Sequence, residues 1–180
     1  MPDQTRDLSR FTGADYDVGR GVLWRVAWLV VSGSVFMRWW MPARARVAIL
    51  RAFGADIGEG VLVRHRVRIH WRWELSVGDH SWIGEGVWLL NLEPTAIGSN
   101  MVISQDSFLC TGSHQRLSPA FEFDNGPIAV QDGAWIAARA TVLRGVTVGK
   151  GATVGAGSLV VRNVPNDQIV LAPAATESRP

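Results

Sequence analysis

The stretch VTVGKGATVGAGSLV, from Val146 to Val160, carries a valine at every sixth position, at Val148, Val154 and Val160. An amphipathic helix repeats near 3.6 residues and a half-buried strand repeats every two, so neither explains a step of six. The same step recurs through most of the chain. The positions that share it are Ile57, Val63, Ile69, Val77, Ile83, Leu89, Ile97, Ile103, Leu109, Val130, Ile136, Val142, Val148, Val154 and Val160. A repeat of this kind predicts a solenoid.

The interruptions of the repeat always follow the third member of a triplet. Two extra residues follow Ile69, two follow Leu89 and fifteen follow Leu109. Three hexapeptides therefore form one coil of about 18 residues, and every insertion leaves from the same edge. Small residues two positions before the aliphatics, such as Ser81 and Ala134, suit a narrow prism. We predict an all-β solenoid, a parallel β-helix of about five triangular coils with the aliphatics stacked in its centre.

The β-helix is expected over residues 55–165, with an active-site loop at 110–129 and a C-terminal tail at 166–180. Residues 1–54 are expected to form α-helical segments that cap the first coil or lie on a membrane surface. Their most apolar part is VLWRVAWLVVSGSVFMRWW, and Arg25 and Arg38 leave only twelve residues between them. A membrane-spanning helix needs about 20 apolar residues, so a span is not expected. The first ten residues also lack the apolar core of a signal peptide.

Composition excludes some classes of function. The chain has 180 residues, a formal net charge of +2 and one cysteine. The small charge, without a basic helix, argues against nucleic-acid binding. A single cysteine cannot form an internal disulfide, and this favours a reducing, cytoplasmic compartment.

Two segments resemble a known family. ISQDSFLCTGSH (103–114) and GPIAVQDGAWIAARATVLRGVTVGKGATVGAGSLVVRNVP (126–165) are similar to the O-acetyltransferase branch of the hexapeptide-repeat acyltransferases, in particular to the colanic acid biosynthesis acetyltransferases. The resemblance runs from about residue 50 to the C-terminus. It implies a left-handed β-helix, a homotrimer with active sites between subunits, acetyl-CoA as donor and a sugar hydroxyl in exopolysaccharide synthesis as acceptor. It implies no metal.

His114 is the candidate general base. Acetyl transfer from a thioester requires the attacking hydroxyl to lose its proton, and an imidazole suits that task near neutral pH. His114 lies where the chain leaves the prism for its longest insertion, and the matching histidine is the catalytic base of the family. A covalent route through Cys110 is the alternative. No cationic neighbour in the sequence activates that thiol, so direct transfer is favoured.

The resemblance also implies residues for coenzyme A. Trp135 matches a tryptophan that borders the acetyl and pantetheine arm. Ala138 occupies the oxyanion position, where only its backbone N–H can donate. Ala156 matches a backbone contact to pantetheine. Val161 and Arg162 fall near the nucleotide end, where Arg162 keeps a positive charge, although a solvated surface arginine is an equally good interpretation.

The acceptor site and the tail are less defined by the resemblance. Asn91, Gln105 and Asp106 occupy positions where relatives place groups that contact the sugar, although solvated turn residues fit the pattern equally well. Relatives carry Gly-Asn-Pro-Ala where this chain has Ala172 and Pro173 in VLAPAATESRP. This difference affects the expected C-terminal edge of the coenzyme A site. Arg179 is a further candidate there.

Two other functions share this fold and stay open. A γ-type carbonic anhydrase binds zinc through three histidines, and His65 and His70 have a tolerable spacing, with His80 or His114 as a third ligand. The order of these histidines differs from that family, and a surface location explains them as well. The other alternative is a non-catalytic trimeric scaffold, for which the altered tail is the support.

The nine tryptophans of the chain bear on assembly and location. Trp82, Trp88 and Trp135 each precede an inward aliphatic residue and so are expected to face outward. Packing in a homotrimer would remove such apolar surface from water. A lipid-linked sugar acceptor would place the enzyme at the inner face of the cytoplasmic membrane, with peripheral contact through the N-terminal segment.

Overall fold

Three parallel β-sheets form the three sides of a triangular solenoid. The computed structural model describes residues 6–14 and 16–173. The first sheet contains β1 (Asp56–Ile57), β4 (Leu75–Val77), β7 (Thr95–Ile97), β10 (Ile128–Val130) and β13 (Thr147–Val148). The second contains β2 (Leu62–Val63), β5 (Trp82–Ile83), β8 (Val102–Ile103), β11 (Trp135–Ile136), β14 (Thr153–Val154) and β16 (Ile169–Val170). The third contains β3 (Arg68–Ile69), β6 (Trp88–Leu90), β9 (Phe108–Cys110), β12 (Thr141–Leu143) and β15 (Leu159–Val160).

The solenoid matches the predicted left-handed β-helix and is slightly longer than predicted. Five coils are complete, and a sixth begins where Val164 bridges Val148 and β16 pairs with β14. The sixth coil escaped the sequence analysis because Val164 follows Val160 after four residues instead of six. β16 lies inside the segment 166–180.

The aliphatic residues of the repeat form a continuous core. In the second sheet, Val63, Ile83, Ile103, Ile136 and Val154 lie directly above one another and are fully buried. Adjacent coils approach so closely that a side chain does not fit at some turns. A Cβ on Gly84 would lie 2.9 Å from backbone atoms of the next coil. Glycine is required there by the close approach.

Two helices cover the first coil. α1 (Val22–Val31) continues into a π-helical turn (Ser32–Phe36), and α2 (Ala43–Ala52) packs on β1 and β2. The indole N–H of Trp28 donates to the carbonyl of Ile69 at 3.0 Å, and both Trp28 and Phe36 are buried. This inward face therefore closes the open end of the solenoid. Among the described residues, no helix is long and apolar enough to cross a membrane.

A buried arginine joins the helices to the solenoid. Arg72 lies in the 3-10 turn Arg72–Glu74, formed by the two residues inserted after the first coil, and it is fully buried. Its guanidinium carbon lies 3.9 Å from the ring centre of Trp73, 4.8 Å from Trp28 and 4.9 Å from Phe53. Desolvation lowers the pKa of Arg72 to about 9, whereas the aromatic faces favour the cation. Because even the lowered pKa lies above neutral pH, the Arg72 side chain is charged there.

The buried side chain of Arg72 fills a large volume but makes few hydrogen bonds. One nitrogen, Nη2, donates to the carbonyl of Trp24 at 3.1 Å, and Nε and Nη1 have no partner among the described residues. We expect Arg72→Met to keep the free energy of unfolding within about 1 kcal/mol of wild type, because it fills similar volume without a buried charge. Arg72→Ala should lower it by about 3 kcal/mol through the cavity left behind.

Urea denaturation of the three proteins measures both effects. Equal losses in Arg72→Met and Arg72→Ala would contradict this interpretation and assign the stability to the cation–aromatic contacts instead.

Candidate active site

His114 lies in the long loop that leaves the solenoid between β9 and β10. The loop folds back on itself, so that His114 and Phe123 form an antiparallel bridge. The N–H of Gln115 donates to the carbonyl of Glu122 at 2.8 Å. A short hairpin therefore presents His114 at the edge between the third and first sheets.

The contacts of the imidazole select its tautomer. Nδ1 of His114 lies 2.8 Å from the carbonyl oxygen of Phe121. A carbonyl oxygen can only accept, so the proton lies on Nδ1 and the lone pair on Nε2. The ring stacks on Phe121 at 4.4 Å and 7°, and the ring of Phe123 lies 5.2 Å away. These contacts leave Nε2 ready to accept a proton.

The N-terminal residues 6–13, here called the strap, hold this loop through Glu122. The Glu122 carboxylate accepts hydrogen bonds from the Thr12 N–H at 2.8 Å, the Thr12 hydroxyl at 2.9 Å and the Gly13 N–H at 3.0 Å. The hydrogen bond from the Thr12 backbone holds the pKa of Glu122 below its usual value, and the charge of His114 acts in the same direction. Glu122 therefore stays ionised beside the histidine loop at neutral pH.

The strap also contacts the histidine itself. The Phe11 ring meets the His114 ring edge-on, with centroids 5.9 Å apart. The N–H of Asp7 donates to the carbonyl of Pro119 at 3.0 Å, and the Arg6 guanidinium lies 4.5 Å from the Phe121 ring centre. The sequence analysis missed this element, because no motif links the strap to a loop more than 100 residues away.

A cavity of about 520 Å³ opens beside His114. It is lined by Ser113, His114, Gln115, Arg116, Leu117, Ser118, Asp124 and Arg144. Arg144 donates to the Asp124 carboxylate, and this ion pair fixes the far side of the loop. Arg116 and Arg144 were not predicted as site residues. Arg144 follows the buried Val142 by two positions, which places it at the loop edge, and this spacing is a usable signal.

The predicted site residues occupy two different edges of one chain. Those in turns from the second sheet to the third are Gln105, Asp106, Ala138 and Ala156. Those that follow strands of the third sheet are Asn91, His114, Val161 and Arg162. Because the edges of a triangular prism are separated by a full side, a single chain does not bring His114 together with Ala138, the residue predicted at the oxyanion position.

Trp135 and the two alanines form one outward surface. Trp135 is 49% exposed on the second sheet, and its indole N–H donates to the Ser104 hydroxyl at 2.9 Å. Ala138 and Ala156 are stacked in successive coils, where the Gly157 N–H donates to the Ala138 carbonyl at 3.0 Å. Within residues 6–14 and 16–173, the N–H groups of both alanines donate to no backbone acceptor.

Val161 and Arg162 line a second cavity, of about 490 Å³, at the C-terminal end of the solenoid. Ala172 and Pro173, where the tail departs from its relatives, line the same cavity. The altered tail therefore contacts the space in which the nucleotide end of coenzyme A was expected. Arg179 lies outside the described residues.

Asn91 has a structural environment that conflicts with sugar contact. It is fully buried, its Oδ1 accepts from the Trp71 N–H at 3.0 Å, and its Nδ2 donates to the Trp71 carbonyl. Both polar ends of the amide are therefore used to join neighbouring coils. Gln105 and Asp106 are exposed, at an edge away from His114.

The remaining histidines and the cysteine lie apart. His65, His70 and His80 occupy three different edges, and His65 Nε2 lies 3.1 Å from the Glu85 carboxylate. In the part of the chain that the structure describes, no three His, Cys, Asp or Glu side chains are grouped to hold a metal ion.

Burial raises the pKa of the Cys110 thiol, which donates to the Gly112 carbonyl at 3.3 Å. A protonated thiol is a poor nucleophile.

Comparison with known proteins shows the family to which the chain is similar. No family model matches the chain. The Escherichia coli K12 protein WcaF, assigned to colanic acid biosynthesis as an acetyltransferase, is 39% identical over 163 residues, which cover 89% of this chain and 88% of that protein. The Shigella flexneri protein of the same name shows the same identity and coverage.

Solved structures share the architecture. A hexapeptide-repeat acetyltransferase from Vibrio cholerae, complexed with acetyl-coenzyme A, superposes with a TM-score of 0.77 at 25% identity, over 90% of this chain and 87% of that chain. A maltose O-acetyltransferase from Clostridium difficile 630 shares the fold, with a TM-score of 0.70 at 20% identity, over 84% of this chain and 82% of that chain. The chain therefore belongs to the hexapeptide-repeat acetyltransferases, in the group of the colanic acid biosynthesis acetyltransferases.

Proposed function

We propose that this protein transfers an acetyl group from acetyl-CoA to a sugar hydroxyl in exopolysaccharide biosynthesis, with His114 as general base. The contact between His114 Nδ1 and the Phe121 carbonyl carries the proposal, because it leaves Nε2 unprotonated at the mouth of a cavity. The V. cholerae relative was solved with acetyl-CoA bound, which supports the donor.

The proposed transfer is direct. Nε2 of His114 takes the proton of the acceptor hydroxyl as its oxygen attacks the thioester carbonyl carbon. The oxyanion that forms requires donors, and the Ala138 N–H is the candidate. When the carbon–sulfur bond breaks, the imidazolium returns its proton to the departing thiolate.

We propose that coenzyme A lies along the surface that carries Trp135, Ala138 and Ala156. The Ala156 N–H, without a backbone acceptor among the described residues, suits an amide carbonyl of the pantetheine arm, while the Ala138 N–H faces the thioester carbonyl; the exposed indole provides an apolar wall. The nucleotide end would reach the C-terminal cavity. There Arg162 is the cation for its phosphates, beside Val161.

The separation of the site residues supports a homotrimer. One chain holds His114 at one edge and Trp135 with Ala138 near another, so a complete site requires the edge of a second copy. The outer face of the second sheet is suited to packing against that copy, since it carries a column of apolar residues in register. That column consists of Leu62, Trp82, Val102 and Trp135.

The acceptor and its location are proposed from the polar and apolar surfaces. Arg116 and Arg144 beside His114 suit an acceptor that carries hydroxyl or acidic groups, while Gln105 and Asp106 would contribute from another edge of the assembly. We propose a lipid-linked sugar, acetylated at the inner face of the cytoplasmic membrane. The outward side of α1 supports peripheral membrane contact, because Leu23 and Leu29 are exposed there.

The base is tested by substitution. His114→Ala should lower kcat by about 10²–10⁴, the usual effect of a positioned base, with the KM for acetyl-CoA nearly unchanged. His65→Ala, at a different edge of the solenoid, is the matched control and should keep wild-type turnover. Transfer assays with nucleotide sugars, lipid-linked sugars and polysaccharide measure both. Wild-type turnover in His114→Ala would remove His114 from the mechanism, and a wild-type protein inactive on all acceptors would favour the scaffold function.

Assembly is tested by sedimentation. The wild-type protein should sediment at three times its 19.7 kDa chain mass at micromolar concentration. Trp82→Glu with Trp135→Glu should shift it to smaller species, because two charges would be buried in the interface. Trp39→Glu with Trp40→Glu, also at exposed tryptophans but outside the second sheet, should leave the trimer intact. A stable wild-type monomer contradicts both the trimer and the shared site.

Membrane contact is tested by vesicle flotation at low salt. The intact protein should float with vesicles, and Leu23→Ser with Leu29→Ser should leave it in the bottom fraction, because apolar contact is lost. Leu8→Ser with Leu117→Ser changes two leucines elsewhere that are also more than half exposed, and it should not affect flotation. Intact protein that never floats would mean that α1 serves as a cap alone.

A further inference from the structure

A cavity of about 390 Å³ lies where the helical cap meets the edge between the second and third sheets. Its lining residues come from the π-helical turn, the first coil and the turns of the next two coils. They are Gly33, Met37, Arg38, Arg66, Arg68, Gly86 and Asp106. This cavity shares no lining residue with the one beside His114, and of its own lining residues Asp106 alone has a part in the proposed acetyl transfer.

Positive charge dominates the cavity. Three arginines line it against one carboxylate, Asp106, and the nearby Glu85 is shared, 3.3 Å from Arg66 Nη1 and 3.1 Å from His65 Nε2. The Arg68 guanidinium stacks over the Trp88 ring at 4.3 Å. Stacking through the face leaves the N–H edge of a guanidinium available for an anion.

Arg38 is oriented by its neighbours. Its Nε donates to the Ser34 carbonyl at 3.2 Å, which uses one donor and leaves both terminal nitrogens without a partner among the described residues. Its own carbonyl accepts from the buried Arg46. The backbone N–H of Arg66 donates to the Met37 carbonyl at 3.0 Å, so the helical turn and the first coil hold the arginines at a fixed separation.

The charge around the cavity extends along the cap. Between Asp17 and Asp56 the chain contains no Asp or Glu. The six basic residues of that interval are Arg20, Arg25, Arg38, Arg44, Arg46 and Arg51. A surface with this bias attracts anionic partners and repels cationic ones.

The cavity is continuous with an exposed apolar surface. Gly33 follows Leu29 and Val30 by one helical turn, and both of those side chains are more than half exposed. On its other side, Arg38 is followed by Trp39 and Trp40, which are 80% and 54% exposed. An arginine-lined cavity beside aliphatic and tryptophan side chains matches a molecule with a phosphate head and an apolar tail.

We propose that this cavity binds the phosphate head group of an anionic phospholipid and so seats the outer face of α1 on the membrane. The inference rests on the membrane contact proposed above and adds the head group that is recognised. Arginine favours phosphate because its planar fork can donate two parallel hydrogen bonds. A zwitterionic head group brings its own cation toward the arginines, so an anionic lipid binds more tightly.

The test compares vesicle partitioning of the full chain at low salt. Vesicles of phosphatidylglycerol with phosphatidylcholine are compared with pure phosphatidylcholine, for the wild type and for Arg66→Gln/Arg68→Gln. Each arginine near an anionic surface contributes a factor of about five, so the double variant should lose about 25-fold in partitioning to anionic vesicles. Thermal unfolding confirms that each variant is folded.

The matched control is Arg139→Gln/Arg162→Gln. It removes the same charge, and Arg139 occupies the same left-handed turn position as Arg66, with φ of 59° against 58°. The control should partition like the wild type. An equal loss of partitioning in both double variants would overturn the proposed head-group site and indicate general charge attraction instead.

Other outcomes separate this proposal from those it rests on. Equal partitioning of the wild type to both kinds of vesicle would overturn the head-group site and leave the membrane contact of α1 standing. Stabilisation by millimolar inorganic phosphate, lost in Arg66→Gln/Arg68→Gln, without vesicle binding would replace the lipid by a soluble phosphate and overturn the proposal. The acetyl-transfer assay with Arg66→Gln/Arg68→Gln is independent, since neither arginine lines the cavity beside His114 or the C-terminal cavity.

Discussion

The ladder of hydrogen bonds between stacked coils is the constraint on which the rest of the structure depends. The strands of each coil pair their backbone groups with the coils above and below, as in the Gly84 N–H to Ile103 carbonyl bond of 2.8 Å and the Ser104 N–H to Ile136 carbonyl bond of 2.7 Å. An insertion within a side would leave such groups unpaired. Insertions therefore leave the solenoid at an edge, and the loop that carries His114 is the longest of them.

A prism built in this way offers few sites for chemistry. Its interior is filled by aliphatic residues, and its sides are flat, so functional groups are restricted to edges and to the loops that leave them. In this chain the loop carries the histidine, which the Phe121 carbonyl and the strap both hold. The unpaired N–H groups of Ala138 and Ala156 belong to another edge. This distribution supports the proposed trimer. Two edges of one rigid solenoid cannot approach each other, whereas the edges of two neighbouring subunits can.

The step of six predicted a triangular parallel solenoid, in which positions such as Ile136 and Val154 stack, whereas its left-handedness was implied only by the family resemblance. It also located His114, at the point where the repeat breaks. It could not predict the environment of Asn91, because both polar ends of that buried amide are hydrogen-bonded to the backbone of Trp71 in the preceding coil. Spacing identifies which edge a residue occupies, but it does not show which backbone groups of the neighbouring coil the side chain reaches.

Contacts between residues that are far apart in the sequence could not be predicted from it either. The cavity lined by Arg38 and Asp106 joins the helical cap to the third coil, and nothing in the sequence predicts that these two residues meet. Asp106 also adopts the left-handed conformation that Gly86 adopts in the coil before it. A search for glycine alone therefore misses the turn. Such features become visible only when the coils are stacked.

The strap has a consequence for the order of assembly during synthesis. Hydrogen bonds between coils commonly join residues about 20 apart, so the solenoid can grow one coil at a time behind the ribosome. Thr12 and Glu122 are 110 residues apart, and Thr12 is made long before its partner exists. The earliest segment of the protein must therefore wait, undocked, until three coils and the loop have emerged. Docking of the strap then marks the completion of the histidine loop.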